Sequence, residues 1–389
     1  MRAHLLKPTG PLPERIADIA RQIGRLRGLS PLLVLTFLAL PGCASRPGPE
    51  ALAVVPDENS TASFVTIDVV TNRRFDVTSR SYSDLRSHKM QLERFTLSVP
   101  PNHKLTRIEW SKGDPDPAKK FVVTEREIRP TSELGTTSVA TGDVRLKPGK
   151  RDVVIFVHGY NYNFQESLFR LAQLVADGGL DDAPVLFAWP SAASVTGYVA
   201  DRDAITYSRD DLVHVLNTLA GQPQVGRITL FGHSMGAMLV VEALRQLRLT
   251  GQDRTIERLG DVVLAAPDID IDVFRRQMEI IGPLDPPLTL LVAPDDRALT
   301  ISARLTGSRS RLGTRDVQDP RVQALANTNG IRVIDISDVS SPDATMHSRF
   351  VGLVTVFPRM RGERDPVLVQ AGAFVLEPLA AVLIPAHPR

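Results

Sequence analysis

The stretch that decides the fold is Arg227–Leu247, RITLFGHSMGAMLVVEALRQL. Residues Arg227–Phe231 are an apolar run of strand type, and Met238–Leu247 repeat apolar residues at helical spacing. Between them stands Gly232-His233-Ser234-Met235-Gly236. Strand, G-x-S-x-G turn and helix in direct succession form the pattern of a nucleophile elbow. Such a turn holds its serine on strained backbone and lifts the hydroxyl above the sheet edge. The residues two positions to either side must be small, because strand and helix crowd there, and Gly232 and Gly236 meet that need. The following helix turns its positive dipole end toward charge developing at Ser234.

From residue 150 onward, further apolar runs alternate with helical stretches. Strands are predicted at Asp152–Val157, Val185–Trp189, Arg227–Phe231, Val262–Ala266, Leu288–Ala293 and Ile331–Ile336. The runs are nearly continuous, as expected where helices cover both faces of a parallel sheet. Leu168, Leu171, Leu174 and Val175 share one helical face, as do Leu212, Val215, Leu216 and Leu219. A doubly wound, mostly parallel α/β sheet over residues 150–360 follows. Residues 64–149 instead hold short alternating runs at Phe64–Val70, Phe95–Val99, Thr106–Trp110 and Phe121–Thr124, separated by turns, and predict a small β-rich N-terminal lobe.

The strand Asp152–Val157 runs into His158-Gly159-Tyr160-Asn161. A loop at this position supplies one backbone donor of an oxyanion hole, and the residue after the nucleophile supplies the other; here these are the amides of Tyr160 and Met235. His158 reads as a support for that loop rather than as a base. In the order Ser, acid, His, the base follows the elbow, which leaves His347 and His387. His387 lies within the last three residues, whereas His347 lies in the loop after the last strand, Ile331–Ile336. For the acid, Asp296 comes first, Asp295 second, both after Leu288–Ala293, and Asp268 third, after the preceding strand. Asp268, Asp270 and Asp272 form a D-x-D-x-D string without the glycine turn and glutamate of a calcium loop, so they read as caps of a helix beginning near Val273. The implied chemistry is acyl transfer through a Ser234, His347, Asp296 triad and an acyl-enzyme, with neither metal nor cofactor. A binding module that keeps the same shell without turnover, taking a lipid or protein partner, is the alternative.

Residues 29–43 add an address. Arg25 and Arg27 precede an apolar core at Leu32–Leu40, which ends in Pro41-Gly42-Cys43. A positive flank, a short apolar core and small residues are the layout of a signal peptide, and the core is too short to span a membrane. The only cysteine of the 389 residues closes this core, as in a bacterial lipobox. Residues 1–43 then form the signal, with Cys43 as the lipid-modified residue, and 44–63 a linker. The expected location is the cell envelope, lipid-anchored, at the outer membrane facing the periplasm. The lone cysteine excludes an intramolecular disulfide framework. Of 46 basic residues six lie in 1–43, against two of the 44 acidic ones, so the remainder is close to neutral and offers no basic field for nucleic acid. The tail 361–389 is apolar, but Glu377 and Pro378 interrupt it near the middle of Val367–Ile384 and argue against a continuous spanning helix.

Taken together, Val154–Asn161, Trp189-Pro190-Ser191, Tyr198–Asp203, Gly232–Gly236, Asp295–Leu299 and His347-Ser348 resemble a little-characterised bacterial α/β-hydrolase family, esterase- or lipase-like and rich in lipoprotein-like members. Thr71-Asn72-Arg73, Ser98-Val99-Pro100, Asp116-Pro117 and Phe121-Val122 fit its N-terminal part. The resemblance spans about residues 64–356. It implies an α/β-hydrolase fold and favours Asp296 over Asp295. It also implies that Trp189-Pro190 shapes an acyl pocket and that Tyr198–Asp203 belong to a cap segment. A small ester or lipid-like substrate is expected; the family supplies no narrower one.

Overall fold

Among the described residues ten strands occupy β1 (Ser63–Asp76), β2 (Ser81–Val99), β3 (Val122–Arg129), β4 (Arg151–Val157), β5 (Ala183–Ala188), β6 (Val225–His233), β7 (Leu259–Ala265), β8 (Thr289–Val292), β9 (Arg332–Asp335) and β10 (Phe374–Leu376). They form one sheet in the order β10-β9-β8-β7-β6-β4-β5-β1-β2-β3. Pairing is parallel from β9 to β1 and antiparallel at both ends. The computed structural model describes residues 46–56, 63–111, 115–135, 150–179, 181–307, 309–353 and 374–376. The chain divides into two compact units, Met1–Arg46 and Pro47–Arg389, and of the first only Arg46 is described. Cys43 and the predicted signal, and most of the 361–389 tail with His387, lie outside the described residues.

The helices are α1 (Phe164–Gly178), α2 (Tyr198–Gly221), α3 (Met235–Leu249), α4 (Asp253–Glu257), α5 (Ile271–Ile281), α6 (Arg297–Leu305), α7 (Pro320–Asn329) and α8 (Phe350–Leu353). Among the described residues no helix is long and apolar enough to cross a membrane. Alternate residues of the central strands feed two cores. Val153, Ile155 and Val157 of β4 join Val185 and Phe187 of β5 under α2, α3 and α5. Phe156, Leu186 and Ala188 face the other way, with Phe164, Leu168 and Phe169 of α1. Burial on both faces is why these strands read as unbroken apolar runs. Helix starts are chemically marked: Asn163 and Glu166 make a reciprocal capping box on α1, and Asp270, Asp296 and Asp319 cap α5, α6 and α7.

The six strands expected after residue 150 are all present, with ends shifted by a few residues. The β-rich N-terminal segment is present too, but as part of the sheet rather than as a separate lobe. Strand β1 pairs in parallel with β5, Asp68–Thr71 against Val185–Ala188, and the β1–β2–β3 meander extends the sheet from there. Its strands are longer than the apolar runs suggested because polar residues complete them in pairs. Asp68 and Arg94 face each other in register and form a buried ion pair, Nε–Oδ1 2.7 Å and Nη2–Oδ2 2.9 Å. Thr106–Trp110 is not a strand; only Trp110 bridges Phe121. The cause is nearby: His103 and the Thr106 amide tie this stretch to Asp177 at the end of α1, at 2.8 and 2.7 Å.

Candidate active site

Ser234 stands at the junction of β6 and α3 with φ 56° and ψ −120°, in a region that non-glycine residues rarely adopt. Its amide donates to the Ala265 carbonyl (2.9 Å), and its carbonyl accepts the Asp268 amide (3.2 Å), so β7 and the loop after it brace the strained turn. The glycines are required by contact. A Cβ on Gly236 would lie 2.3 Å from the carbonyl oxygens of Val157 and His158, and one on Gly159 would lie 2.9 Å from Ser234 Cβ. Met235 opens α3, so its amide is a first-turn donor without an intrahelical acceptor. Tyr160 follows β4 in the loop packed against Ser234, and its hydroxyl donates to the Ser194 and Val195 carbonyls (3.1 and 2.5 Å).

His347 lies between β9 and α8. Its Nδ1 is 2.7 Å from Asp296 Oδ2, while Asp296 Oδ1 accepts the Leu299 amide at 2.9 Å. One fully buried carboxylate thus both caps α6 and fixes the imidazole. Asp343 shapes the loop by accepting the amides of Thr345 (2.8 Å), His347 (3.3 Å) and Ser348 (2.7 Å). These bonds outweigh the effect of burial and hold its carboxyl well below the usual range. The Arg297 amide donates to the Thr345 carbonyl (3.0 Å) and stitches the β8 and β9 loops together. The ring of His233, beside Ser234, lies 4.6 Å from that of His347, and His233 Nε2 is 3.3 Å from the His347 carbonyl oxygen. Among the described residues no hydrogen bond joins Ser234 Oγ to His347. Such bonds are commonly long before substrate binds.

The three histidines here titrate differently. Burial lowers His347, but the charge and hydrogen bond of Asp296 outweigh it and leave the group above its ordinary value. Burial, followed by repulsion from His347, drives His233 well down. Burial and the Arg73 guanidinium push His158 down to about 3. His158 lies between the carbonyls of Gly159 (2.9 Å) and Trp189 (3.1 Å) and stacks on the Trp189 ring at 4.9 Å. Of the three, His347 is the one suited to proton transfer near neutral pH.

The other sequence candidates have different work. Asp295 grips Arg349, with Nη2–Oδ2 at 2.7 Å, and does not meet His347. Asp268 is buried in an ion pair with Arg311 (3.0 Å) and accepts from the hydroxyls of Ser302 (2.6 Å) and Tyr198 (3.0 Å). Of the acidic string, Asp270 caps α5, which starts at Ile271 rather than near Val273; Asp268 does not cap it, because Arg311 claims its carboxylate. Trp189 does not line a pocket: it is fully buried, and its Nε1 donates to the His158 carbonyl (2.8 Å), which makes it a prop of the Tyr160 loop. Tyr198–Asp203 form the opening of α2, with Tyr198 and Asp201 buried. Sequence reasoning gave no roles to Arg73, Asp201, Arg311 or Asp343. Arg73 and Asp201 fall within the stretches that carry the family resemblance, whereas Arg311 and Asp343 had no signal beyond their polar character.

The model of a family of α/β hydrolases of unknown function (DUF900) matches residues 137–364, more than half of the chain and the whole of the site. The chain belongs to that family. No curated protein matches this hydrolase. Among solved structures, it is similar to ESTFA in an "FE-lacking apo form", at 11% identity and TM-score 0.30, over 89% of this chain and 97% of that one. It is also similar to a "Putative hydrolase from Agrobacterium vitis S4", at 13% identity and TM-score 0.30, over 69% and 96%. Likeness at that level carries no argument about activity.

Proposed function

We propose that this hydrolase cleaves a carboxylic ester or a related acyl bond through Ser234, with His347 as base and Asp296 as its orienting acid. The observation that carries the reading is the Asp296–His347 contact of 2.7 Å in the loops that follow β8 and β9, together with the strained Ser234 turn after β6. With Nδ1–H donated to Asp296, His347 keeps Nε2 free to accept the Ser234 proton. The Ser234 oxygen then attacks the acyl carbon, and the amides of Tyr160 and Met235 receive the oxyanion, each worth about 2.7–4 kcal/mol in the chemical step. His347 returns the proton to the leaving alkoxide, and water, activated by the same ring, releases the acid. The reading includes a cell-envelope location through a lipid on Cys43, at the outer membrane. Radiolabelled palmitate incorporated by the full chain and lost in Cys43→Ser checks that part.

A fluorophosphonate probe and short p-nitrophenyl esters test the chemistry. The expected result is labelling of Ser234 and turnover, both abolished in Ser234→Ala. A folded protein that is neither labelled nor active on any ester or thioester of a chain-length panel removes the enzymatic reading and leaves the binding-module alternative.

A further inference from the structure

The first turn of α2 grips both loops beside Ser234. Tyr198 and Asp201 are three positions apart on one helical face. The Tyr198 ring meets the Tyr160 ring edge-on at 5.5 Å. Asp201, with no exposed surface, accepts three donors from two different loops: the Asn161 amide (3.3 Å), the Ser191 hydroxyl (2.6 Å) and the Ala192 amide (2.6 Å). Both loops carry non-glycine residues at positive φ, Asn161 at 62° and Ala193 at 51°. Such conformations persist only where the surroundings over-determine them. On the same loops, the buried guanidinium of Arg73 donates to the carbonyls of Tyr162 (3.0 Å) and Ser191 (3.3 Å), and its charge faces that of Asp201. A carboxylate that holds the Asn161 amide and a guanidinium that holds the Tyr162 carbonyl fix the chain just after Tyr160, and both also hold the Ser191–Ala192 turn.

We infer that Asp201 is the positioning residue of the oxyanion loop: by holding the Asn161 amide against the Ser191–Ala192 turn, it aims the Tyr160 amide at the acyl oxygen bound over Ser234. This rests on the serine-hydrolase reading above. Asp201→Asn replaces one accepting oxygen with an N–H donor, so either the Asn161 amide or the Ala192 amide loses its acceptor. Asp201 touches no reacting atom, and its loss acts through the placement of a backbone donor. The loss therefore appears in the transition state and not in ground-state binding.

The test uses the full chain, with p-nitrophenyl butyrate as substrate and an alkyl boronic acid as the probe whose tetrahedral adduct places an oxygen in the hole. The wild type is first labelled at Ser234 by fluorophosphonate. Absence of labelling and turnover there ends the underlying reading, and this inference with it. Given an active wild type, Asp201→Asn is expected to lower kcat by about tenfold to hundredfold with KM within about twofold, and to weaken the boronic acid by the same factor as kcat. The number of titratable Ser234 sites is expected to stay unchanged, which a general loss of folded protein would not allow. Asp201→Glu, which keeps the charge opposite Arg73 but shifts the oxygens, is expected to show the same parallel loss, smaller in size. Asp211→Asn, on the same helix but bonded to Asn72, is expected to leave kcat and inhibitor affinity at wild-type values. A folded Asp201 variant with wild-type boronic acid affinity overturns the inference, as does a loss of kcat without a matching loss of that affinity. Failure of both variants to fold marks Asp201 as a folding residue and overturns it as well.

Discussion

Asp296 serves two masters with its two oxygens: Oδ2 stands 2.7 Å from His347 Nδ1, and Oδ1 takes the Leu299 amide at 2.9 Å. The helix cap removes the carboxylate's freedom to rotate, so the imidazole inherits a fixed orientation from the backbone of α6. Asp295, one residue earlier, points to Arg349 instead.

This division predicts opposite outcomes for neighbouring substitutions. Asp296→Asn keeps a good cap but presents the wrong hydrogen-bonding partner to His347. Ester turnover is expected to fall by about 10³–10⁴ with the melting temperature nearly unchanged. Asp295→Asn breaks a half-exposed ion pair and is expected to leave kcat within a fewfold of wild type. Steady-state kinetics with thermal unfolding on both variants checks this.

The pH dependence follows from the same contact. In the proposed mechanism His347 must be neutral to take the Ser234 proton, and Asp296 holds it above its ordinary value, so kcat/KM is expected to rise with pH through a midpoint above 6.5. In Asp296→Asn burial is left to dominate, and the residual activity should show a midpoint moved to lower pH. A profile that does not move would sever the link between the two residues.

Stability should respond to pH through the buried rings. His158 and His233 stay neutral in the fold where the unfolded chain would bind protons. Their contribution is complete above about pH 6.5 and is lost as pH falls toward the folded values, about 3 for His158. His347 acts in the reverse sense: stability from its pairing is present below about 6.5 and fades as pH rises through its higher folded value. Two lowered groups against one raised predict a melting temperature that declines from pH 6.5 to 5, measurable by calorimetry.

Loop shape at His347 depends on Asp343. Asp343→Ala frees three backbone amides and is expected to reduce kcat by about tenfold to hundredfold through misplacement of the ring, with the global melting temperature lowered by only a few degrees. Unchanged kcat would show that Asp296 alone holds His347.

Gly236→Ala tests the crowding behind Ser234. Its methyl would meet two backbone oxygens at 2.3 Å, which cannot yield as a side-chain tip can. A loss of about 1–3 kcal/mol or more is expected in denaturant unfolding.

Much of the sheet was legible because its strands are buried on both faces. Val153–Val157 carry apolar residues at every position and Ile228–Phe231 at all but Thr229, and no turn interrupts either run. The meander β1–β3 was only partly legible. Asp68, Arg73, Glu93 and Arg94 read as surface residues in a one-dimensional pattern, yet all are buried, paired with partners from other strands or loops. The elbow was legible for a steric reason, since a strand and a helix meeting at a serine leave room only for glycine nearby.

Local chain chemistry determined the alternation of strand and helix, the turn at Ser234 and the short set of acids and histidines placed after strands. Choice within that set belonged to the tertiary structure. Asp268, Asp295 and Asp296 are equivalent as letters following a strand, and they part only because Arg311, Arg349 and His347 arrive from distant segments to claim them. A carboxylate's role is set by the partner that desolvates with it, and partners separated by 43 to 54 residues are brought together by folding alone.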